Sequence, residues 1–433
     1  MEKEMHIDVE KFSNACSCGK SHDILVKDMV IEAGALDKFP EYLSKVYDGN
    51  KDELVMICDT NTYEAAGKKL YEILKEECTL VKLSHKGLHA DNHGVAQIEE
   101  ILERLEKFKL VIAVGSGTIH DLSRFIAHKY QVPFISVPTA ASVDGFVSTV
   151  AAMTWNGLKK TITAVSPIMV VADTLVFSKA PYRLTASGIS DLLGKYTALI
   201  DWEISHMVTG EYICTRVCEL EFSALKEVCD NICLLQGDLA DPHTIKAYER
   251  LMYALLLSGI AIQMIGNSRP ASGAEHHISH LWEMEVINGQ LDAYHGEKVS
   301  IGLMIVTATY HKIKNAIKKG LCMVKSYEGL ELELLKETFG PKGLYEGIIE
   351  ENTPDPLETV DTTCFSKLLP EIAEVIDKLP SEEELNNLLT KAGCLKEVEE
   401  IKMEKSIIPK TIQLSPYVRN RLTFMRLSKL LKL

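Results

Sequence analysis

The sequence predicts an α/β domain over residues 1–180, built on a parallel sheet, followed by a mostly α-helical domain over residues 181–433. Three observations predict it. Strand-length apolar runs alternate with helical periodicity through the first 180 residues. A glycine-rich turn joins one of those runs to a helix. From about Lys179 onward the β-branched runs thin out while helical periodicity persists, broken by scattered Pro and Gly. A chain of 433 residues exceeds one ordinary core, which fits two domains.

Taken in order, Glu53-Leu-Val-Met-Ile-Cys58 reads as a buried strand, and Thr62 to Lys75 as a helix. Leu80-Val-Lys-Leu83 is a short strand, and Gln97 to Phe108 is amphipathic. Leu110-Val-Ile-Ala-Val114 is a second buried strand. Gly115-Ser-Gly117 and a helix from about Ile119 to Tyr130 follow it, and Pro133 to Val137 is the next strand. Such alternation with apolar strands means a parallel sheet covered on both faces. Val147 to Ala164, with Asn156-Gly157 at its middle, reads as a β-hairpin. Ile168 to Ala172, closed by Asp173, is the last strand. Residues 325–405 are rich in Glu and Lys and read as solvated helices without a chemical motif. No internal repeat occurs.

Composition narrows the function. The chain is 46% hydrophobic and 25% charged, with a net charge of −14. That is a globular composition and a poor one for nucleic-acid binding. No run reaches the length of a membrane span, and the N-terminus lacks the apolar core of a signal peptide, so a cytoplasmic protein is expected. Eleven cysteines, an odd number spread along the chain, read as reduced thiols. Cys16-Ser-Cys18-Gly-Lys-Ser-His22 offers three metal-type ligands. With no second Cys pair at zinc-finger spacing, it reads as an N-terminal turn carrying thiols.

Two constellations carry chemistry. The first is a nucleotide signal. Gly115-Ser-Gly117-Thr118-Ile119-His120-Asp121 lies between a buried strand and a helix, where glycines and the helix N-terminus suit a pyrophosphate. His120 stands where the dinucleotide fingerprint has its third glycine. Asp59 ends the first strong strand, where a carboxylate can take a ribose hydroxyl. It precedes the glycine turn instead of following it, so the fold order differs from the ordinary unit. Thr139, Ser142, Asp144 and Gly145 follow the next strand, in the loop outside the carboxyl edge of the sheet.

The second is a histidine cluster. Four of the 14 histidines fall within Glu275-His276-His277-Ile-Ser-His280 and Tyr294-His295-Gly. His276 and His280 share a helical face, and a polar turn lets His295 fold back onto it. His277 points about 100° away. Imidazoles so gathered suggest a metal site, with a carboxylate as the natural third ligand. Asp191, in Gly188-Ile-Ser190-Asp191, is the best donor. His206, His243 and His311 read as structural or surface residues. No His-Glu-x-x-His occurs.

These stretches, together with Arg269-Pro-Ala-Ser-Gly-Ala-Glu-His276, resemble the sn-glycerol-1-phosphate dehydrogenases, most of all their bacterial form. That family lies in the superfamily of glycerol dehydrogenases, dehydroquinate synthases and iron alcohol dehydrogenases. The resemblance runs in family order from about Val26 to Gly302. It implies an N-terminal Rossmann-like domain and a helical C-terminal domain, a dehydroquinate synthase-like architecture. It implies one divalent metal, zinc or nickel, on Asp191, His276 and His295. It implies NAD or NADP contacts at Asp59, from Gly117 to Asp121, and at Thr139, Ser142 and Ser148, with Gly115 opening the turn. Substrate contacts fall at Asp144, Asp191 and His280, which with the metal form the catalytic group. His120 departs from the hydrophobic residue of the archaeal form. The reaction implied is hydride transfer from NAD(P)H to the C2 carbonyl of dihydroxyacetone phosphate, a phosphorylated triose, giving sn-glycerol 1-phosphate. Arg269, Lys195 and Lys160 are candidates for the phosphate. A homo-oligomer, a dimer or larger, is expected from the superfamily. The alternatives are a glycerol or polyol dehydrogenase, a dehydroquinate synthase-like lyase, for which residues 184–300 hold few cations, and a metal-dependent sensor.

Overall fold

A computed structural model describes residues 5–13 and 16–433. Nine strands are used below: β1 (Met5–His6), β2 (Asp28–Glu32), β3 (Leu54–Asp59), β4 (Thr79–Leu83), β5 (Leu110–Gly115), β6 (Phe134–Pro138), β7 (Val150–Trp155), β8 (Leu158–Thr163) and β9 (Met169–Asp173). Eight helices matter: α1 (Asn92–Leu102), α2 (Gly117–Lys129), α3 (Tyr182–Leu193), α4 (Lys195–Thr209), α5 (Pro242–Ile265), α6 (Ala274–Glu283), α7 (His295–Lys318) and α8 (Thr362–Ile376).

The chain forms two compact units. The first holds the described residues up to Asn156, with Lys160–Leu192 and Glu219–Ser268. Its seven-stranded sheet runs β1-β2-β9-β6-β5-β3-β4. Every neighbouring pair is parallel except β1 with β2. The alternation of the strands explains the two-sided burial. Val55 and Ile57 of β3 pack with Val95, Leu122 and Ile126 on one face, whereas Leu54, Met56 and Cys58 pack with Phe39 and Leu70 on the other. The chain leaves β3 toward β4 and returns to β5 on the opposite side of β3. This reversal puts the carboxyl ends of β3 and β5 at the kind of switch point where open α/β sheets bind ligands.

The predicted strands appear where the apolar runs lie. β2 escaped the sequence reading because only Met29, Val30 and Ile31 separate its charged ends. The helix expected from Gln97 instead begins at Asn92, since Asp91 caps it by accepting the Gly94 N–H at 2.7 Å. Asn156 and Gly157 both take positive φ, 50° and 82°, as the tight turn between β7 and β8 demands.

The second unit holds Gly157–Lys159, Leu193–Cys218 and Arg269–Leu433. Its core gathers Ile200 and Ile204 of α4, Ile278 and Trp282 of α6, Ile301 and Tyr310 of α7, and Phe365 and Ile372 of α8. The Glu- and Lys-rich stretch is thus solvated on one side only. Leu335, Phe339 and Ile348 from the same stretch build a further cluster against Leu281. Among the described residues no helix is long and apolar enough to cross a membrane.

Candidate functional site

In the sheet unit, three carboxyl ends lie side by side: Asp59 on β3, Gly115 on β5 and Pro138 on β6, the last two in register. Asp59 caps the helical run that follows it, with Oδ1 accepting from Asn61 N at 2.7 Å and Thr62 N at 2.9 Å. The cap uses Oδ1 alone. Gly115 is required by packing, because a Cβ there would sit 2.4 Å from the Cβ of Ile119. α2 therefore starts hard against the sheet. The Ser116 side chain does not cap its first turn, so the N–H groups of Gly117, Thr118 and Ile119 are the donors that such a terminus presents to an anion. The side chains of Ile119 and His120 are buried, so the turn offers backbone rather than those side chains.

His120 is spent inside the fold. Its Nδ1 pairs with the Ser116 carbonyl at 2.9 Å, its Nε2 with Ser136 Oγ at 2.7 Å, and its ring meets Phe146 edge-on. Burial pushes its pKa down to about 3, so the ring is neutral. Thr139 N donates to the Gly115 carbonyl at 2.9 Å, tying the two strand ends together. Ser142 is buried and its Oγ has no hydrogen-bond partner among the described residues, which makes it a polar atom that a ligand could engage. Ser148 Oγ is engaged with Val150 in a local turn.

One organiser was missed by sequence reasoning. Arg124, fully buried on α2, binds Asp121 at 2.9 Å and reaches the carbonyls of Gly145, Phe146 and Val150. A charged residue three positions after Asp121 was the available signal, since that spacing pairs on a helix. Arg124 holds the loop that carries Asp144.

Asp144 and Asp191 come together within this unit. The backbone N–H of Asp144 donates to Asp191 Oδ2 at 2.9 Å. Gly188 makes this possible: a Cβ there would lie 2.1 Å from the Ala141 carbonyl oxygen, so only glycine lets α3 rest on the loop. Ser258 of α5 bridges Asp144 Oδ2 at 2.9 Å and Glu221 Oε1 at 3.0 Å. All four residues are buried.

In the helical unit, α6 and the first turn of α7 gather three imidazoles. Ring centroids lie 5.2 Å apart for His276 and His295, 5.6 Å for His280 and His295, and 6.1 Å for His276 and His280. Two carboxylates at opposite ends of α6 orient them. His276 Nδ1 pairs with Glu275 Oε1 at 2.7 Å, and His295 Nδ1 with Glu283 Oε1 at 3.1 Å. A carboxylate only accepts, so each pairing puts a proton on Nδ1, as where a carboxylate supports a metal-bound histidine, and leaves Nε2 as the nitrogen that could hold an ion. Burial works against the charge of Glu275. Its bonds from His276, Thr197 and Gly273 nevertheless hold its pKa below the ordinary value. Glu283 is likewise held well below despite burial, by Lys159, Lys298 and His295. Two imidazoles, each with a carboxylate behind Nδ1, are a donor set that fits a divalent ion.

His280, Glu283 and His295 also lie within 4.8 Å of one another by their ligand atoms. That trio suits a metal less well, because two lysines already neutralise Glu283. Burial, and then Arg419, keeps His280 well below its ordinary pKa, so it is neutral too. Neither ring nitrogen of the buried His277 hydrogen-bonds among the described residues.

The three phosphate candidates fare differently. Arg269 is committed to Glu211 at 2.7 Å and to the Leu422 carbonyl at 2.6 Å. Lys195 is buried and Lys160 exposed.

A parallel sheet with a nucleotide-type carboxyl edge, joined in one chain to helices that bear carboxylate-backed imidazoles, fits the class of NAD(P)-linked dehydrogenases. The comparisons agree. The family model described as iron-containing alcohol dehydrogenase matches residues 30–181. The glycerol-1-phosphate dehydrogenase [NAD(P)+] of Halalkalibacterium halodurans is 31% identical over 424 residues, covering 96% of each chain. That of Geobacillus thermodenitrificans is 32% identical over 428 residues, again covering 96% of each. A probable glycerol dehydrogenase from Sinorhizobium meliloti shares the fold with a TM-score of 0.61 at 16% identity, covering 94% of this chain and 93% of its own. The chain belongs to the glycerol-1-phosphate dehydrogenase family.

Proposed function

We propose that this chain catalyses the reversible NAD(P)H-linked reduction of dihydroxyacetone phosphate to sn-glycerol 1-phosphate. The observation that carries the reading is the pairing of His276 Nδ1 with Glu275 and of His295 Nδ1 with Glu283, which supports Nε2 of each ring as a metal ligand. Asp191 is the third ligand in this reading. Held there, a zinc or nickel ion supplies Lewis-acid polarisation of the C2 carbonyl and stabilises the charge that builds on its oxygen.

The chain's own residues do the rest. Asp59, whose cap uses one oxygen, receives the ribose hydroxyls. The N–H groups that open α2 receive the pyrophosphate, and the orphan hydroxyl of Ser142 takes a polar group of the nucleotide. Asp144, bridged through Ser258 to Glu221, passes the proton that the C2 oxygen needs. Since His280 is neutral, it serves as a hydrogen-bond partner for a substrate hydroxyl rather than as a stored acid. Arg419 meets the phosphate: its Nε has no hydrogen-bond partner among the described residues, and it is the strongest cationic influence on His280.

The test is turnover by metal-stripped protein, with Zn²⁺ or Ni²⁺ restored, using NADH and NADPH and chiral analysis of the product. Metal-dependent formation of the sn-1 isomer is expected. Faster turnover of glycerol than of glycerol 1-phosphate would favour a polyol dehydrogenase instead. In Arg419→Met, KM for dihydroxyacetone phosphate should rise at least tenfold while nucleotide affinity holds.

A further inference from the structure

The N-terminal Cys-x-Cys-x-x-x-His segment has no part in that chemistry, yet it is folded as a ligand set. The Sγ atoms of Cys16 and Cys18 and a ring nitrogen of His22 all lie within 4.8 Å of one another. His22 is only 2% exposed although it sits in an irregular segment. Its Nδ1 lies 2.7 Å from the carbonyl of Met264, the penultimate residue of α5. A carbonyl only accepts, so Nδ1 carries the proton and Nε2 carries the lone pair. Nε2 faces Cys18 Sγ at 3.5 Å. A tetrahedral zinc with bonds of about 2.3 Å to sulfur and about 2.0–2.1 Å to nitrogen sets those two atoms about 3.5 Å apart. A backbone carbonyl accepting the other ring N–H is what orients metal-bound histidines in general.

We propose that Cys16, Cys18 and His22 hold a zinc-type divalent ion that staples the N-terminal segment to the end of α5. The site is separate from the catalytic donors: its sulfur ligands suit a soft or borderline ion, and their binding releases thiol protons. The staple has a purpose within the sheet unit. The last turn of α5 also carries Gln263, which accepts the Leu25 N–H at 2.8 Å and donates to Ser166 Oγ at 2.7 Å and to the Val147 carbonyl. One turn earlier lies Ser258, the partner of Asp144. Fixing the end of α5 therefore steadies the loop from Asp144 to Val147.

The experiment compares the full chain with Cys16→Ser/Cys18→Ser, both purified under reductant, and measures metal per chain. The double variant should hold one equivalent less than the unsubstituted protein. Cobalt-loaded unsubstituted protein should show a thiolate-to-cobalt charge-transfer band that the double variant lacks, a band that carboxylate and imidazole ligands do not give. Should the variant fail to fold, thiol counting on the unsubstituted protein decides. Adding Zn²⁺ to stripped protein must protect at least two cysteines from a thiol reagent. Equal metal content in both proteins, or no band and no protection, overturns the staple. Because none of these readouts is activity, the outcome is independent of the proposed reaction.

Discussion

His120 and His276 are both buried histidines at the start of a helix, in different units, and they teach opposite lessons. His120 gives one nitrogen to a carbonyl and the other to a serine hydroxyl, and so it completes a core. His276 gives Nδ1 to a buried carboxylate, which supplies charge behind the ring. Burial does not separate a histidine that completes a core from one fitted to hold an ion. The nature of the atom behind Nδ1, and what is left for Nε2, does.

The sharpest way to break this contrast is His276→Ala, which should abolish turnover and lower metal content by one equivalent while NAD(P)H binding, read by fluorescence, survives. Full turnover without that metal would place the chemistry elsewhere. Glu275→Gln is a finer cut. It keeps the hydrogen bond but removes the charge, and loss of such a partner typically costs about 10–100-fold in metal affinity. A metal titration that matched the unsubstituted protein would reduce Glu275 to a packing role.

In the sheet unit the comparable change is to Arg124 rather than to a histidine. Arg124→Met takes the guanidinium from the partly exposed Asp121 and the donors from the carbonyls of Gly145, Phe146 and Val150. A buried acceptor left unsatisfied costs about 1–3 kcal/mol, which denaturant unfolding would register. Activity should fall as well, because the loop it holds carries Asp144.

The two units also differ in how far the chain alone reveals them. The apolar runs at β3, β5, β6 and β9 are long enough to announce strands, and the Asn156-Gly157 dipeptide announces its turn. β2, with three apolar residues between charges, does not. The histidine cluster was legible because α6 puts a period-four pair on one face. The carboxylates behind those rings were not singled out, since Glu275 and Glu283 look like ordinary helical acids until α7 folds back and sets His295 against Glu283. The thiol segment at Cys16 reads as a turn in sequence because no second Cys pair follows at zinc-finger spacing; the carbonyl behind His22, that of Met264, lies 242 residues further along.

The smallest effect is a pH dependence, and it comes from the pair of carboxylates behind His276. Asp201 is fully buried beside Glu275, and burial together with that like charge pushes its pKa up to about 7. Its oxygens accept from Tyr310 at 2.5 Å, Phe424 N at 2.7 Å and Ala274 N at 2.8 Å, which limits the rise without reversing it. A carboxyl whose folded pKa exceeds its unfolded value of about 3.9 binds more protons in the native state between those two values. Asp201 therefore favours the folded state at low pH, and its contribution declines as pH climbs from about 4 to about 7. The depressed pKa of Glu283 acts in the opposite sense. Its contribution is present above the unfolded carboxylate value and is lost as pH falls through the lower folded one. Asp201→Asn removes only the first. Midpoints of thermal unfolding at pH 5 and at pH 7.5 should differ less in the variant, by a loss of the downward slope toward neutral pH. An unchanged slope would mean that Asp201 is ionised throughout and that α6 rests on two charged carboxylates.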